Sequence, residues 1–174
     1  MAAAFQWGED NGTATGWPAK GYLRTLGVNQ GQWKNIDSAT ASYTMYPITT
    51  GQSSYSKYQF GYFSGMFNRI GNGKWTHTNG TLGTGLQVRG EVTSSYVTPS
   101  TTPQAWAVDM TLPVDVSTGQ QVLFSPAGPE GSSAVGALTL AGYTQYLVSQ
   151  LQTTTAAVSG DIASLTFALQ YDEN

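Results

Sequence analysis

The side chains able to do chemistry are few and far apart. The one histidine, His77, lies in Lys74-Trp75-Thr76-His77-Thr78. Triad catalysis needs a base beside a nucleophile and a third group to orient it. The base could only be His77, and no G-x-S-x-G elbow accompanies it. The chain contains no cysteine, which removes thiolate nucleophiles, structural disulfides and Cys-based zinc sites. His77 is therefore expected to be a strand or turn residue making a local hydrogen bond.

Paired acids are the remaining route to catalysis, because glycosidases hold two carboxyl groups about 5–10 Å apart. Glu91, Asp109 and Asp115 fall on the polar faces of expected strands, where they read as solvated charges that keep an edge soluble. Glu9-Asp10-Asn11-Gly12 and Asp172-Glu173 offer oxygen ligands, but neither follows the EF-hand spacing, and the first reads as an acidic turn. The Gly-rich stretches lack the Lys-Ser/Thr of a P-loop. The expectation is a non-enzymatic chain with no catalytic residues, no metal ligands and no cofactor.

Aromatic residues carry the strongest signal for recognition. Trp7, Trp17, Trp33, Tyr43 and Tyr46 sit in stretches without clear periodicity. Trp17, Trp33, Tyr43 and Tyr46 are candidates for contact with a partner protein or a glycan. Tryptophan and tyrosine stack on sugar rings, but they equally anchor protein interfaces, burying a large area while keeping one polar handle. So few charges surround them that an interface is favoured over sugar stacking. Trp75 and Trp106 read as core.

The elements that position these residues are β-strands. Apolar residues alternate at Trp106, Val108, Met110, Leu112, Val114 and Val116, with Pro113 marking an edge or a break. Leu86, Val88 and Val92 alternate with polar residues in the same way, and Gly90 takes an apolar-face position suited to a bulge or a close neighbour. Leu165, Phe167, Leu169 and Tyr171 make a third strand. The run Tyr55–Phe67 has aromatics on both parities, so it is either central in the domain or has one face on another subunit. Its Tyr58, Phe60, Tyr62, Phe63 and Phe67 are the candidate interface. Shorter strands are expected near Tyr22–Val28, Gln121–Phe124, Val135–Leu140 and Gln145–Gln152, the last also compatible with a helical face. Turn clusters at Gly8–Gly16, Gly71-Asn72-Gly73, Asn79-Gly80, Pro99–Pro103, Ser125–Ser133 and Ser159-Gly160-Asp161 separate them. The reading is a single-domain, all-β, antiparallel β-sandwich, jelly-roll-like, over residues 53–174. Residues 1–52 are expected to be either a loop-rich N-terminal arm or a strand-poor region of long surface loops, packing on the sandwich or on a neighbour.

Composition narrows the class of function. A chain of 174 residues buries roughly 70% of the surface its unfolded form exposes, enough for a core without staples. Charged residues make up 10% of it, against about 25% in an average soluble domain. The net charge is −3 and the basic residues are scattered, which argues against nucleic-acid binding. No window reaches the length of a membrane span and no targeting segment is visible. Such a surface suits a protein fixed among others in a crowded assembly.

Several phrases resemble a known group. Ser54-Tyr55-Ser56-Lys57-Tyr58-Gln59-Phe60-Gly61 leads into Phe63-Ser64-Gly65-Met66-Phe67-Asn68. Lys74-Trp75-Thr76-His77-Thr78, Thr81-Leu82-Gly83-Thr84-Gly85-Leu86, Tyr96-Val97-Thr98-Pro99-Ser100, Gly142-Tyr143-Thr144-Gln145-Tyr146 and Tyr171-Asp172-Glu173-Asn174 follow. Over residues 53–174 the chain resembles small virion structural proteins of tailed bacteriophages, including those that infect cyanobacteria. The resemblance implies a sandwich or jelly-roll subunit that decorates or cements the capsid, or builds tail, neck or baseplate. It implies a homo-oligomer, a trimer above all, in contact with other virion proteins such as the major capsid protein. Such a protein assembles in the host cytoplasm and leaves by lysis. No functional residue carries over.

Overall fold

The computed structural model describes residues 2–14, 21–28, 31–130, 134–158 and 164–174. Its strands are β1 (Ala3–Gly12), β2 (Tyr22–Leu26), β3 (Lys57–Gly65), β4 (Ile70–Asn79), β5 (Leu86–Thr93), β6 (Val108–Asp109), β7 (Gln120–Val122), β8 (Phe124–Ser125), β9 (Ala137–Leu138), β10 (Gly142–Thr144), β11 (Tyr146–Thr153) and β12 (Thr166–Glu173). The larger sheet runs β2-β1-β3-β11-β5-β6, with β10 pairing β3 and β8; the smaller runs β12-β4-β7, with β9 also on β4. Every pairing is antiparallel. The two sheets pack face to face as an all-β sandwich, as the alternating periodicity predicts.

Alternation along β1 and β3 decides what lies between the sheets. Phe5 faces Phe63, Trp7 faces Gly61 and Glu9 faces Gln59 across the pair, while Gly8 faces Phe60 and Asp10 faces Tyr58. The first set points towards the smaller sheet. There Phe63 packs with Ile70, Phe124 and Leu138, and Trp75, Val88, Met110, Val122 and Leu147 form an adjoining cluster. The second set points the other way, where Tyr58, Phe60, Tyr146 and Val148 are covered by Tyr96, Trp106 and Tyr143 from outlying segments. The larger sheet is thus apolar on both faces, which is why β3 carries aromatics on both parities.

Of the two readings of this run, the structure favours the strand central in the domain over the interface between subunits. Phe60 and Phe63 are fully buried and Tyr58 is nearly so, while Tyr62 and Phe67 are half-buried against the same chain. The chain's own loops and sheets cover both faces, so Tyr58, Phe60 and Phe63 present almost no surface and Tyr62 and Phe67 only part of theirs.

Three other expectations change. β1 is the second strand of the larger sheet, so residues 3–12 are no arm; Phe5 and Trp7 supply the alternation that inserts them. Residues 31–52 carry no strand. The expected strand over 106–116 shrinks to β6, because Asp109 Oδ1 accepts the Thr111 amide at 2.9 Å and turns the chain. Asp115 then caps a short 3-10 helix at Val116–Thr118, leaving Leu112 and Val114 exposed. β4 runs through Gly71-Asn72-Gly73, which reads as a turn. Asn72 has φ 54°, and the register of β12 against β4 shifts between Gln170 and Asp172, so the turn-like residues make a bulge inside a central strand.

Two glycines make close approaches possible. A Cβ on Gly90 would meet Met110 Sδ at 2.4 Å and the Trp75 ring at 3.2 Å, so Gly90 is the close-neighbour position its apolar-face parity suggests. A Cβ on Gly8 would lie 2.3 Å from Phe60 Cζ, which means the Phe60 ring occupies the space above Gly8. Gly8→Ala is expected to destabilise the fold by about 1–3 kcal/mol through overpacking. In urea unfolding, adding Phe60→Leu should recover part of that loss; a strictly additive double mutant would place the strain elsewhere.

Candidate functional site

The charged residues that sequence alone reads as an acidic turn lie at the centre of a buried, hydrogen-bonded polar site. Glu9 and Asp10 are adjacent on β1 and point to opposite faces of the larger sheet, and both are buried. On the inner side Glu9 Oε1 accepts from Lys57 Nζ at 2.7 Å and from Asn11 Nδ2 at 3.0 Å. Lys57 also donates to the Ser38 carbonyl. Asp37, from the 31–52 segment, accepts from Asn11 Nδ2 and the Gly12 amide, each at 2.6 Å. Lys34 donates to the Ala41 carbonyl; burial, then the neighbouring Lys57 charge, holds its ammonium below the usual lysine range. Two acids and two lysines balance, and together they fasten the 31–41 loop to β1 and β3.

On the outer side Asp10 receives two bonds from one guanidinium, Arg24 Nε at 2.9 Å and Nη2 at 2.7 Å. The same Nη2 reaches Glu130 Oε2 at 2.8 Å. Tyr22 donates to Glu130 at 2.5 Å. The Tyr146 hydroxyl lies 2.5 Å from Asp10 and 3.1 Å from Glu130, and its single proton serves the nearer acid. The Arg24 carbon sits 4.9 Å from the centre of the Phe60 ring and 5.3 Å from that of Tyr143, a cation–π geometry. Burial, followed by Asp10, pushes the Tyr146 phenol far above the ordinary tyrosine range. Burial also pushes Tyr58 up to about 12 and Tyr96 higher, with Asp37 adding to it.

An open cleft of about 1110 Å³ lies between the sheets, beside the inner cluster. Trp7, Trp33, Trp75 and Phe167 line it, with Leu147 and Leu151 from β11 and Tyr43 and Thr44 from the 31–52 loop. The Trp33 Nε1 donates to Ser149 Oγ at 3.2 Å, and its ring stands edge-on to Phe167 at 5.7 Å.

The structure distributes the residues singled out from sequence as follows. Trp33 and Tyr43 line the cleft; Tyr46 is exposed outside it; Trp17 lies outside the described residues. His77 is fully buried in β4, bonded through Nε2 to the Asn79 carbonyl at 2.7 Å and packed on Phe167. Its Nδ1 has no partner among the described residues. Glu91 borders a small pocket of about 130 Å³ with Tyr58 and Trp106. Asp109 lies 3.7 Å from Arg89 and is held below the usual carboxylate range by the Thr111 hydroxyl and amide. Asp115 caps its turn through Ser117. No group of three or more His, Asp or Glu able to hold a metal occurs among the described residues. No described helix is long and apolar enough to cross a membrane. The sequence reading placed Glu9 and Asp10 in a turn rather than a buried strand, and missed Arg24, Lys57 and Glu130. The only local signal was Phe5 and Trp7 alternating ahead of Glu9, which extends a strand through the acids.

Comparisons with known protein families, curated proteins and solved structures return no match.

Two outcomes follow from the buried charges. Removing one partner of a buried ion pair strands the other, so Lys57→Met should cost about 3–5 kcal/mol in urea unfolding. Glu9→Leu in the same chain should restore much of that loss. The raised tyrosines set an alkaline limit. The folded state favours the neutral phenol, so Tyr58 contributes stability fully below pH about 10. That contribution is lost as pH rises towards about 12. Thermal melts should hold through mild alkali and fall across that window, and Tyr58→Phe should flatten the fall.

Proposed function

We propose that this chain is a non-enzymatic structural subunit of a bacteriophage particle, one that decorates or cements the capsid. The observation that carries the reading is where the charge sits. Glu9, Asp10, Lys34, Lys57 and Glu130 are buried in a chain that holds only seven basic and ten acidic residues. The surface is left poor in charge, while Leu23, Met45, Met66, Leu112 and Leu140 are each at least 65% exposed. A free monomer keeps such side chains from associating with a well-mixed charged surface. A subunit held among copies of itself and a lattice has no such need, and its interfaces resemble a core cut in half. The phrases over residues 53–174 that resemble small phage virion proteins supply the kind of particle. A place in the tail, neck or baseplate uses the same surface and differs only in the partner.

A second reading, a carbohydrate- or receptor-binding module, is favoured by Trp33 and Tyr43 lining the open cleft. Loss of glycan binding in Trp33→Ala with the fold retained would support it, and a silent glycan array would remove it.

For the structural reading, sedimentation should show a discrete oligomer, a trimer in the simplest case, and the protein should bind capsids lacking it. Leu23→Lys, on the edge strand β2, should weaken assembly without lowering the melting temperature. A monomer that ignores capsids and tails alike overturns the proposal.

A further inference from the structure

A lysine and an asparagine meet across β1 and β3, and one buried carboxylate touches both. The two strands pair antiparallel, with Glu9 opposite Gln59 and Asp10 opposite Tyr58. One step further along the same register, Asn11 comes opposite Lys57. Residues opposed in this way hold their Cβ atoms about 4.5–5.5 Å apart, well within the reach of a lysine side chain. Glu9 and Lys57 are each 1% exposed and Asn11 is 8% exposed. Glu9 Oε1 accepts from Lys57 Nζ at 2.7 Å and from Asn11 Nδ2 at 3.0 Å, so the amine and the amide flank a single oxygen atom. Asn11 Nδ2 also donates to Asp37 Oδ1 at 2.6 Å, and Lys57 Nζ to the Ser38 carbonyl at 3.1 Å. Both nitrogens are thus held in place.

A primary amine, a carboxamide and a proton carrier are the full set of groups that an amide exchange between side chains requires. From their juxtaposition we infer that Lys57 and Asn11 join in an intramolecular isopeptide bond, with Glu9 carrying the proton. Lys57 passes a proton to Glu9 along the 2.7 Å hydrogen bond, which frees the electron pair on Nζ. Nζ attacks Asn11 Cγ, and the Nζ–Cγ bond forms. Glu9 protonates Nδ2 and takes the surplus proton from Nζ. The Cγ–Nδ2 bond then breaks, and ammonia leaves with that proton as ammonium. One lysine ammonium and one carboxamide become one secondary amide and one ammonium ion. Glu9 ends as the carboxylate it began, and the balance needs no oxidant or co-reactant.

Amines attack amides slowly in solution; fixing the two groups side by side replaces a chance encounter with a set orientation. The site reacts once per chain, so the step is a self-modification without turnover. It is independent of whether the chain assembles into a particle. The bond staples the N-terminal strand to β3 in a chain that has no cysteine, and the Glu9–Lys57 ion pair is the state from which it forms.

The full chain, folded and held at neutral pH, is expected to weigh one ammonia less than its sequence requires, by intact-mass spectrometry. Tandem mass spectrometry of a tryptic digest should find Asn11 and Lys57 joined in one branched peptide. A succinimide at Asn11-Gly12 would lose the same ammonia, but the Gly12 amide is bonded to Asp37 Oδ2 at 2.6 Å. Lys57→Arg separates the two chemistries, since it should keep its full mass whereas a succinimide would still form. Glu9→Gln, which cannot carry the proton, and Asn11→Ser should keep theirs as well. The branched peptide of the parent chain decides the matter even where a variant fails to fold. A parent chain of full mass, ammonia loss that persists in Lys57→Arg or Glu9→Gln, or a linkage through another lysine overturns the inference.

Discussion

Two consecutive carboxylates on β1 point to opposite sides of one sheet, and each meets a base from a different part of the chain. Glu9 meets Lys57 of the neighbouring strand, and Asp10 meets Arg24 of the edge strand. An unpaired charge in either place would be expensive, so β1 cannot slip by one residue without exchanging Glu9 and Asp10 between sites built for one of them. Register in a sheet with two apolar faces is otherwise weakly specified by hydrophobicity alone. The ion pairs supply the distinction that the apolar residues do not.

Much of the remaining architecture is arranged around these two sites. The inner one draws in Asn11, Lys34 and Asp37, so a segment without strands is fastened to the sandwich by hydrogen bonds. The outer one is walled by aromatic side chains. Tyr22 and Tyr96 lie 4.6 Å apart, and Tyr58 and Tyr146 5.4 Å apart at nearly a right angle, the edge-to-face geometry that aromatic pairs favour. Glu130 reaches in from the segment after β8, so one guanidinium organises three parts of the chain. Burial of charge at the centre and scarcity of charge outside are one fact seen from two sides.

The fold class was legible in the sequence because period-two alternation is strong in β5 and β12, where apolar and polar residues swap at nearly every step. β4 was not legible. Its Gly71-Asn72-Gly73 has turn composition, and only tertiary pairing on both sides turns it into a bulged central strand. The error at 106–116 ran the other way. Leu112, Val114 and Val116 keep the alternation of a strand, but Asp109 and Asp115 bond local amides and divert the backbone. The polar site was hidden for a related reason, since Glu-Asp-Asn-Gly suits an exposed turn. Its burial depends on Lys57, Arg24 and Glu130, whose distance along the chain leaves no local trace. Of the aromatics singled out, Trp7, Trp33 and Tyr43 line the cleft, but Trp75 and Phe167 complete it from strands whose facing is set by the pairing of the sheets.

The pairing of β12 with β4 has a kinetic consequence. Phe167 lies opposite His77, so the central strand of the smaller sheet waits for residues roughly ninety positions later before its ladder on that side is complete. During synthesis β4 leaves the ribosome well before β12, and the inner face of Phe63 has no complete smaller sheet to close over it. Contacts this far apart in sequence slow folding, because loop-closure entropy is lost before the contacts form. In that interval the nascent chain exposes unpaired, aromatic-rich strands to its neighbours on the same messenger, the condition under which chaperones bind.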